Sequence, residues 1–285
     1  MHINWFPGHM AKAHRMIREH VALVDVVIEL LDARIPASSA NPVIDEVIAD
    51  KPRVIALNKA DLAEKAETEK WADHYRRRGF PVVLVEAVSG KGAKNLVSQV
   101  ETAASLKIRA WEAKGIRPRA VRAMILGIPN VGKSSLINRL RGATAVRTAD
   151  KPGVTRGKQW IKIGRNLELL DTPGVLWPKF EDQEAAFRLA VTGAIADDVF
   201  DMEDAVNRLL LLLWEGYGDR LTQRYGIPSP LPATPAELLH VIGSRRGCLL
   251  SGGRLDADKT RRLVLNEFRS GKLGAFTLDR YELPV

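Results

Sequence analysis

Gly127-Ile128-Pro129-Asn130-Val131-Gly132-Lys133-Ser134 is the stretch on which the fold turns. It follows an apolar run, residues 123–126, that reads as a buried strand, and it opens a segment with helical spacing. A GxxxxGKS pattern between a strand and a helix is a phosphate-binding loop. Gly127 and Gly132 let the backbone wrap closely, so that successive N–H groups from Asn130, Val131 and Gly132 onward point at phosphate oxygens. Lys133 supplies charge to the β- and γ-phosphates. The Ser134 hydroxyl is placed to coordinate Mg²⁺, and Ser135 to touch the α-phosphate.

Downstream, residues 159–163 and 167–170 read as a hairpin across Gly164-Arg165-Asn166. The second strand runs into Asp171-Thr172-Pro173-Gly174. There Asp171 can hold a Mg²⁺-bound water, and the Gly174 N–H can meet a γ-phosphate and register its loss. Between the hairpin and the phosphate loop lies Lys151-Pro152-Gly153-Val154-Thr155-Arg156-Gly157. Its Thr155 is the natural residue to complete Mg²⁺ coordination when a nucleoside triphosphate is bound.

The base-selecting motif stands upstream, not downstream. Asn58-Lys59-Ala60-Asp61 follows the apolar run 54–57. The Asp61 carboxylate can accept hydrogen bonds from N1 and N2 of guanine, whereas adenine would leave it unpaired. The Lys59 stem can stack along the ring, and Asn58 can pin a neighbouring loop. After the next strand, 82–85, the loop Glu86-Ala87-Val88-Ser89-Gly90-Lys91-Gly92 is expected to back the base with main-chain N–H groups, Glu86 and Ala87 leading it. The order is thus base motif, base loop, phosphate loop, switch, Asp-Thr-Pro-Gly.

Apolar runs at 26–31, 54–57, 82–85 and 123–126 alternate with helical patterns, which predicts a parallel α/β sheet. Residues 11–23 have helical spacing. Residues 107–122, with six Lys and Arg broken by Gly115 and Pro118, read as an exposed basic linker. After about residue 180 only helical patterns remain, at 184–214, 219–225, 235–245 and 256–271. The expected division is a G domain over 1–182 and an all-α, RNA-binding domain over 183–285.

The formal charge of +9 exceeds what a local phosphate site uses, and it suits a polyanionic partner such as RNA. Residues 245–272 carry eight basic side chains (Arg245, Arg246, Arg254, Lys259, Arg261, Arg262, Arg269, Lys272) against three acidic ones. The single Cys248 rules out an intrachain disulfide. The leucine-rich run 209–213 is too short to span a bilayer. The opening residues have no apolar core followed by a cleavage site, so a cytoplasmic protein without a membrane partner is expected.

The motif order, with Asp32-Ala33-Arg34-Ile35-Pro36 upstream, resembles a circularly permuted Ras-like GTPase. With the opening Trp5-Phe6-Pro7-Gly8-His9-Met10 and the helical C-terminal part, the whole chain is similar to the bacterial ribosome biogenesis GTPase A family, of YlqF/YawG type. The resemblance implies a GTPase that binds a late precursor of the large (50S) ribosomal subunit, rRNA and ribosomal proteins, and leaves on hydrolysis; off the ribosome a monomer is expected. Many GTPases have a serine where this chain has Ala87. Many Ras-like members also place a water-orienting glutamine where this chain has Val175, which implies slow turnover unless the subunit or K⁺ helps. His9 is a candidate to position that water, the alternatives being a helix cap or an RNA contact. Asn130 is the candidate to help hold K⁺, alongside Lys133 and Thr155 in the chemistry. A second reading stays open, in which GTP orders an rRNA- or tRNA-binding module and hydrolysis is incidental.

Overall fold

A computed structural model describes residues 8–48, 51–116, 119–143, 160–170, 182–227, 232 and 234–282. The chain divides into two compact units. One holds the described residues from 8 to 170 together with 277–282; the other holds 182–276.

The first unit is built on a six-stranded sheet of β1 (Val26–Asp32), β2 (Arg53–Asn58), β3 (Val82–Val85), β4 (Val121–Leu126), β5 (Trp160–Ile163) and β6 (Leu167–Leu170). Their order is β3-β2-β1-β4-β6-β5, parallel throughout except for β5, which pairs antiparallel with β6. The two strands that carry the base motif and the phosphate loop, β2 and β4, flank β1 on either side. Every residue of β1 is buried, as expected for a central parallel strand covered on both faces.

Alternation along the strands sets the two faces. Val27, Met124 and Leu126 meet Ile17 and Val21 of α1 (Gly8–Val21) and Ile44 and Ile48 of α3 (Pro42–Ile48). Leu31, Ile55 and Leu57 meet Ala72 and Tyr75 of α4 (Lys65–Arg77). The opposite face receives α5 (Ala93–Ala103) and α7 (Lys133–Ala143), whose Leu96, Val100, Leu136 and Leu140 are buried. Two carboxylates are buried at this level with partners. Glu29 meets Arg53 at 3.0 Å, and Asp25 accepts from Lys107, Arg119 and the Arg122 N–H.

The stretch expected as a basic linker is partly helical. Residues Ser105–Ala113 form α6, and Gly115 follows in the left-handed region at φ +67°. Gly115 thus acts after the helix, as a stop, and does not break it. No α6 residue is buried; Lys107 instead reaches down to Asp25, and Trp111 lies under the cations of Lys107 and Arg119.

The second unit contains α8 (Gln183–Thr192), α9 (Met202–Tyr225), α10 (Pro235–Arg245) and α11 (Ala257–Arg269). Each starts at a side-chain cap: Asp182, Asp201, Thr234 and Asp256 accept from backbone N–H groups of the first turn. The stretch 184–214 is two helices, not one. Gly193, at φ +85°, ends α8, and its position is closed off by the Arg269 side chain. Tyr217 is non-helical between Gly216 and Gly218, which kinks α9 there. Phe187, Leu209, Leu213, Ile242, Val264, Phe268 and Phe276 form the buried interior. Among the described residues no helix is long and apolar enough to cross a membrane.

Gly243 is where α10 passes close to its neighbours. A Cβ there would lie 2.2 Å from Leu255 Cδ1 and 2.6 Å from Thr260 Oγ1. Gly243→Ala is expected to destabilise the helical unit by about 1–3 kcal/mol through overpacking, lowering the thermal midpoint. An unchanged midpoint would mean that the two helices separate freely.

Candidate nucleotide site

The base motif and the phosphate loop leave the ends of β2 and β4, the two strands that flank β1, and one side chain joins them. Asn58 is the last residue of β2 and is 1% exposed. Its Nδ2 donates to the Val131 carbonyl at 2.7 Å, and its Oδ1 accepts from the Ala87 N–H at 3.0 Å. One amide therefore holds the base motif, the phosphate loop and the base loop together. Both of its polar ends are used, which a carboxylate or an apolar side chain could not reproduce. The approach is so close that a Cβ on Gly132 would lie 2.4 Å from Asn58 Nδ2, and Gly132 also has φ +106°. Only glycine fits this place.

Lys59 makes the second tie. Its Nζ donates to the Asn130 carbonyl at 2.9 Å and to Asp32 Oδ2 at 2.8 Å. Lys59 and Asn130 are the described non-glycine residues with positive φ, +60° and +54°. Such conformations cost about 1–3 kcal/mol each and persist where surrounding bonds over-determine them. Here the two strained residues hold each other. Ala60 N–H donates to Val85 O, which ties the motif to the end of β3, and Asp61 is exposed in the following turn.

Asp32, at the end of β1, anchors Lys59 from below. It is 1% exposed and takes a bidentate pair from Arg34, Nε at 2.9 Å and Nη2 at 2.7 Å, plus the Arg34 N–H. Burial alone would push its carboxyl up. The cations of Arg34 and Lys59 overcome that and hold it well below the usual aspartate range. In the sequence, Asp32-Ala33-Arg34-Ile35-Pro36 stands only as a marker of the family resemblance. Two opposite charges at i and i+2 after a strand, with the strand end facing a lysine motif, were the signal available.

The phosphate loop leads from β4 into α7. Lys133 is buried, and its Nζ donates to the carbonyls of Gly127 at 2.9 Å and Ile128 at 2.7 Å, so the ammonium is held within the curve of its own loop. Gly127 packs against Leu30 O, where a Cβ would lie at 2.5 Å. Ser134 and Ser135 are exposed on the first turn of α7, the helix end whose N–H groups suit an anion.

In the base loop the main-chain donors of Glu86, Ala87, Gly90 and Lys91 go to partners inside the protein: Lys91 O, Asn58 Oδ1, Glu86 O and Ser89 Oγ. The Glu86 carboxylate pairs with Lys91 at 2.9 Å and Ser89 at 2.8 Å, and the Lys91 bond depresses its pKa. Glu86 and Ala87 therefore shape the loop, and the Ala87 methyl is buried. Arg139, on α7, crosses to this loop: its Nη2 donates to Val88 O, and its side chain fills the place a Cβ on Gly90 would take. A lone arginine on a helix face offers no sequence signal for that role.

Thr155, Asp171 and Gly174, with Val175, lie outside the described residues. His9 lies in the first turn of α1, and its side chain lies outside them too.

A parallel sheet whose base motif precedes its phosphate loop in sequence, yet meets it through Asn58 and Lys59, defines a circularly permuted P-loop GTPase domain. Residues 122–215 match the family model described as 50S ribosome-binding GTPase. That match begins inside β4, so the base motif falls before it, as permutation requires. The chain is 51% identical over 280 residues to Ribosome biogenesis GTPase A of Priestia megaterium, covering 98% of this chain and 97% of that one. It is 34% identical to Mitochondrial ribosome-associated GTPase 1 of Bos taurus, covering 97% of this chain and 88% of that one. It resembles the solved GNP-bound YlqF of Thermotoga maritima, with a TM-score of 0.66 and 27% identity over 94% of this chain and 98% of that one. The GDP-bound YlqF structure gives a TM-score of 0.68 at 25% identity, over 93% and 99%. The chain belongs to the ribosome biogenesis GTPase A family.

The Asp32 pKa gives a test of this network. Its folded value lies below its unfolded value of about 3.9, so its contribution to stability is complete above that and is lost as pH falls through the folded value. The stability margin of wild type over Asp32→Asn, by chemical denaturation, is expected to be flat from about pH 5 to 8 and to shrink below about pH 4. A margin that shrinks between pH 7 and 5 would contradict the arrangement.

Proposed function

We propose that this chain is a GTP-hydrolysing assembly factor that binds a late precursor of the large ribosomal subunit and is released on hydrolysis. The observation that supports the nucleotide half is the pair of ties from Asn58 and Lys59 to the phosphate loop, which hold the Asn58–Asp61 segment against that loop. The ribosomal half draws on the description of the matching family and the names of the relatives, together with the basic surface of the helical unit.

That basic surface is smaller than the sequence count. Arg246 donates to Arg224 O and lies over Tyr225. Arg261 is mostly covered and pairs with Glu203. Arg269 braces the Ala190 and Val191 carbonyls and Asp197. These three work inside the fold. Arg245, Arg254, Lys259, Arg262 and Lys272 are exposed, and Lys259, Arg262 and Lys272 line a groove along α11. These five are the side chains proposed to meet rRNA phosphates.

In this reading Asp61 selects guanine, Lys133 and the first turn of α7 hold the phosphates, and Ser134 with Thr155 and Asp171 holds Mg²⁺. The exposed Ser134 hydroxyl beside the buried Lys133 fits that ion, which would neutralise charge building on the phosphates. Gly174 meets the γ-phosphate. Val175 cannot orient water, so His9 and a K⁺ held with help from Asn130 are proposed to complete the site on the ribosome. The protein acts in the cytoplasm, as a monomer when off the ribosome.

The test is GTP turnover in K⁺ buffer, alone and with purified large or small subunits. Large subunits are expected to stimulate turnover by at least about tenfold, with loss of that stimulation in His9→Ala and on replacing K⁺ by Na⁺; small subunits and tRNA should do nothing. Binding to large subunits without stimulation would favour the GTP-ordered module, in which Val175 marks a site not built for fast hydrolysis.

A further inference from the structure

After Phe276 the chain leaves the helical unit, and residues 277–282 belong with the sheet unit. The segment is tightly held. Thr277 is 1%, Leu278 6% and Asp279 3% exposed. Its bonds fall into two groups.

One group holds α4. Thr277 Oγ1 accepts from the Glu64 N–H at 3.0 Å, Trp71 Nε1 donates to Asp279 O at 2.8 Å, and Tyr281 N–H donates to Glu67 Oε2 at 2.9 Å. The Tyr281 and Trp71 rings meet edge to face at 5.2 Å. This group explains why the segment is fixed.

The other group holds residues 34–39, the turn after β1 together with α2 (Pro36–Ser39), and it bears on the nucleotide site. Leu278 N–H donates to Arg34 O at 2.8 Å. The Asp279 carboxylate accepts from the Ser38 N–H at 2.7 Å and from Ser38 Oγ at 2.8 Å. Arg34 is the residue whose guanidinium clasps Asp32. Ser39, next to Ser38, accepts the Asp32 N–H on its Oγ at 3.0 Å. The C-terminal segment therefore bonds to Arg34, whose guanidinium holds the Asp32 carboxylate, and to Ser38, whose neighbour Ser39 accepts the Asp32 N–H.

Resting on the reading of Asn58–Asp61 and Gly127–Ser134 as a guanine-nucleotide site, we propose that Leu278 and Asp279 are positioning residues for nucleotide binding. They fix the 34–39 turn. The turn fixes Asp32, and Asp32 holds Lys59 against the Asn130 carbonyl of the phosphate loop. The route is a continuous line of hydrogen bonds from residue 278 to residue 130. It is also short: Leu278 to Arg34, Arg34 to Asp32, Asp32 to Lys59, Lys59 to Asn130.

The role separates from mere structural support because it runs through one side chain, Lys59. Two residues that act through the same contact are not additive. GDP affinity is measured by isothermal titration on full-length wild type, Asp279→Ala, Lys59→Met and the double variant, with thermal midpoints for each. Asp279→Ala is expected to weaken GDP binding by about fivefold or more in the wild-type background, and by less than about twofold in Lys59→Met. Equal weakening in both backgrounds, or none in either, would overturn the proposal. Should Asp279→Ala fail to fold, hydrogen exchange on unmodified protein decides. Coupling is reciprocal, so GDP should slow exchange of the Leu278 amide, and an unchanged rate would overturn the proposal. Wild type that binds no GDP would remove the nucleotide reading itself, and this inference with it. Wild type that binds GDP with no coupling would remove this inference alone.

Discussion

The Asn58 carboxamide is the contact on which the site depends. It is buried at the end of β2, and it bonds to the phosphate loop with one end and the base loop with the other. A buried amide left half-satisfied costs about 1–3 kcal/mol, so each of the three loops is held to one position relative to the others. The glycine at 132 follows from it, since nothing larger fits beneath that amide. Permutation leaves this contact intact because it depends on where the strands lie in the sheet, not on which comes first in the chain. β2 and β4 stand on either side of β1 whatever the order of synthesis.

Around that amide the unit stores charge where it does structural work. Asp32 sits at the end of a fully buried strand with two cations on it, one of them the motif lysine. Removing one member of such a buried set is costly because the others lose their partners, even though the set as a whole adds little to stability. What it does contribute is geometry: Lys59 is kept in a left-handed conformation that few lysines adopt, with its ammonium on the phosphate loop. The same economy appears in the helical unit, where Arg269 spans from α11 to the last carbonyls of α8 and Arg261 reaches Glu203.

Much of the sheet was legible in the sequence because its strands are continuous apolar runs ended by polar or glycine-containing loops. The base and phosphate motifs were legible because their chemistry admits few residue types. What was not legible has a common cause: contacts between distant segments leave no local pattern. Arg139 reads as an ordinary exposed helix residue until Val88 is seen beside it. The eight basic residues near the C-terminus read as one surface, yet three are turned to structural partners. The break at Gly193 is hidden by helix-compatible residues on both sides. A boundary at 182 gives everything after it to the helical part, and nothing in Thr277-Leu278-Asp279 announces a return to the sheet unit.

The account stands or falls on whether motifs in reversed order form one guanine site. The direct measurement is binding of GDP and xanthosine diphosphate to wild type and Asp61→Asn. On the proposed reading Asp61 accepts from N1 and N2 of guanine, whereas an asparagine there would accept from N1 and donate to the oxygen that xanthine carries in place of the amine. The account predicts that wild type prefers GDP and that Asp61→Asn reverses the preference, with the two affinities crossing by at least about tenfold. An Asp61→Asn protein that keeps its GDP affinity would show that the base motif does not read the nucleotide held by the phosphate loop.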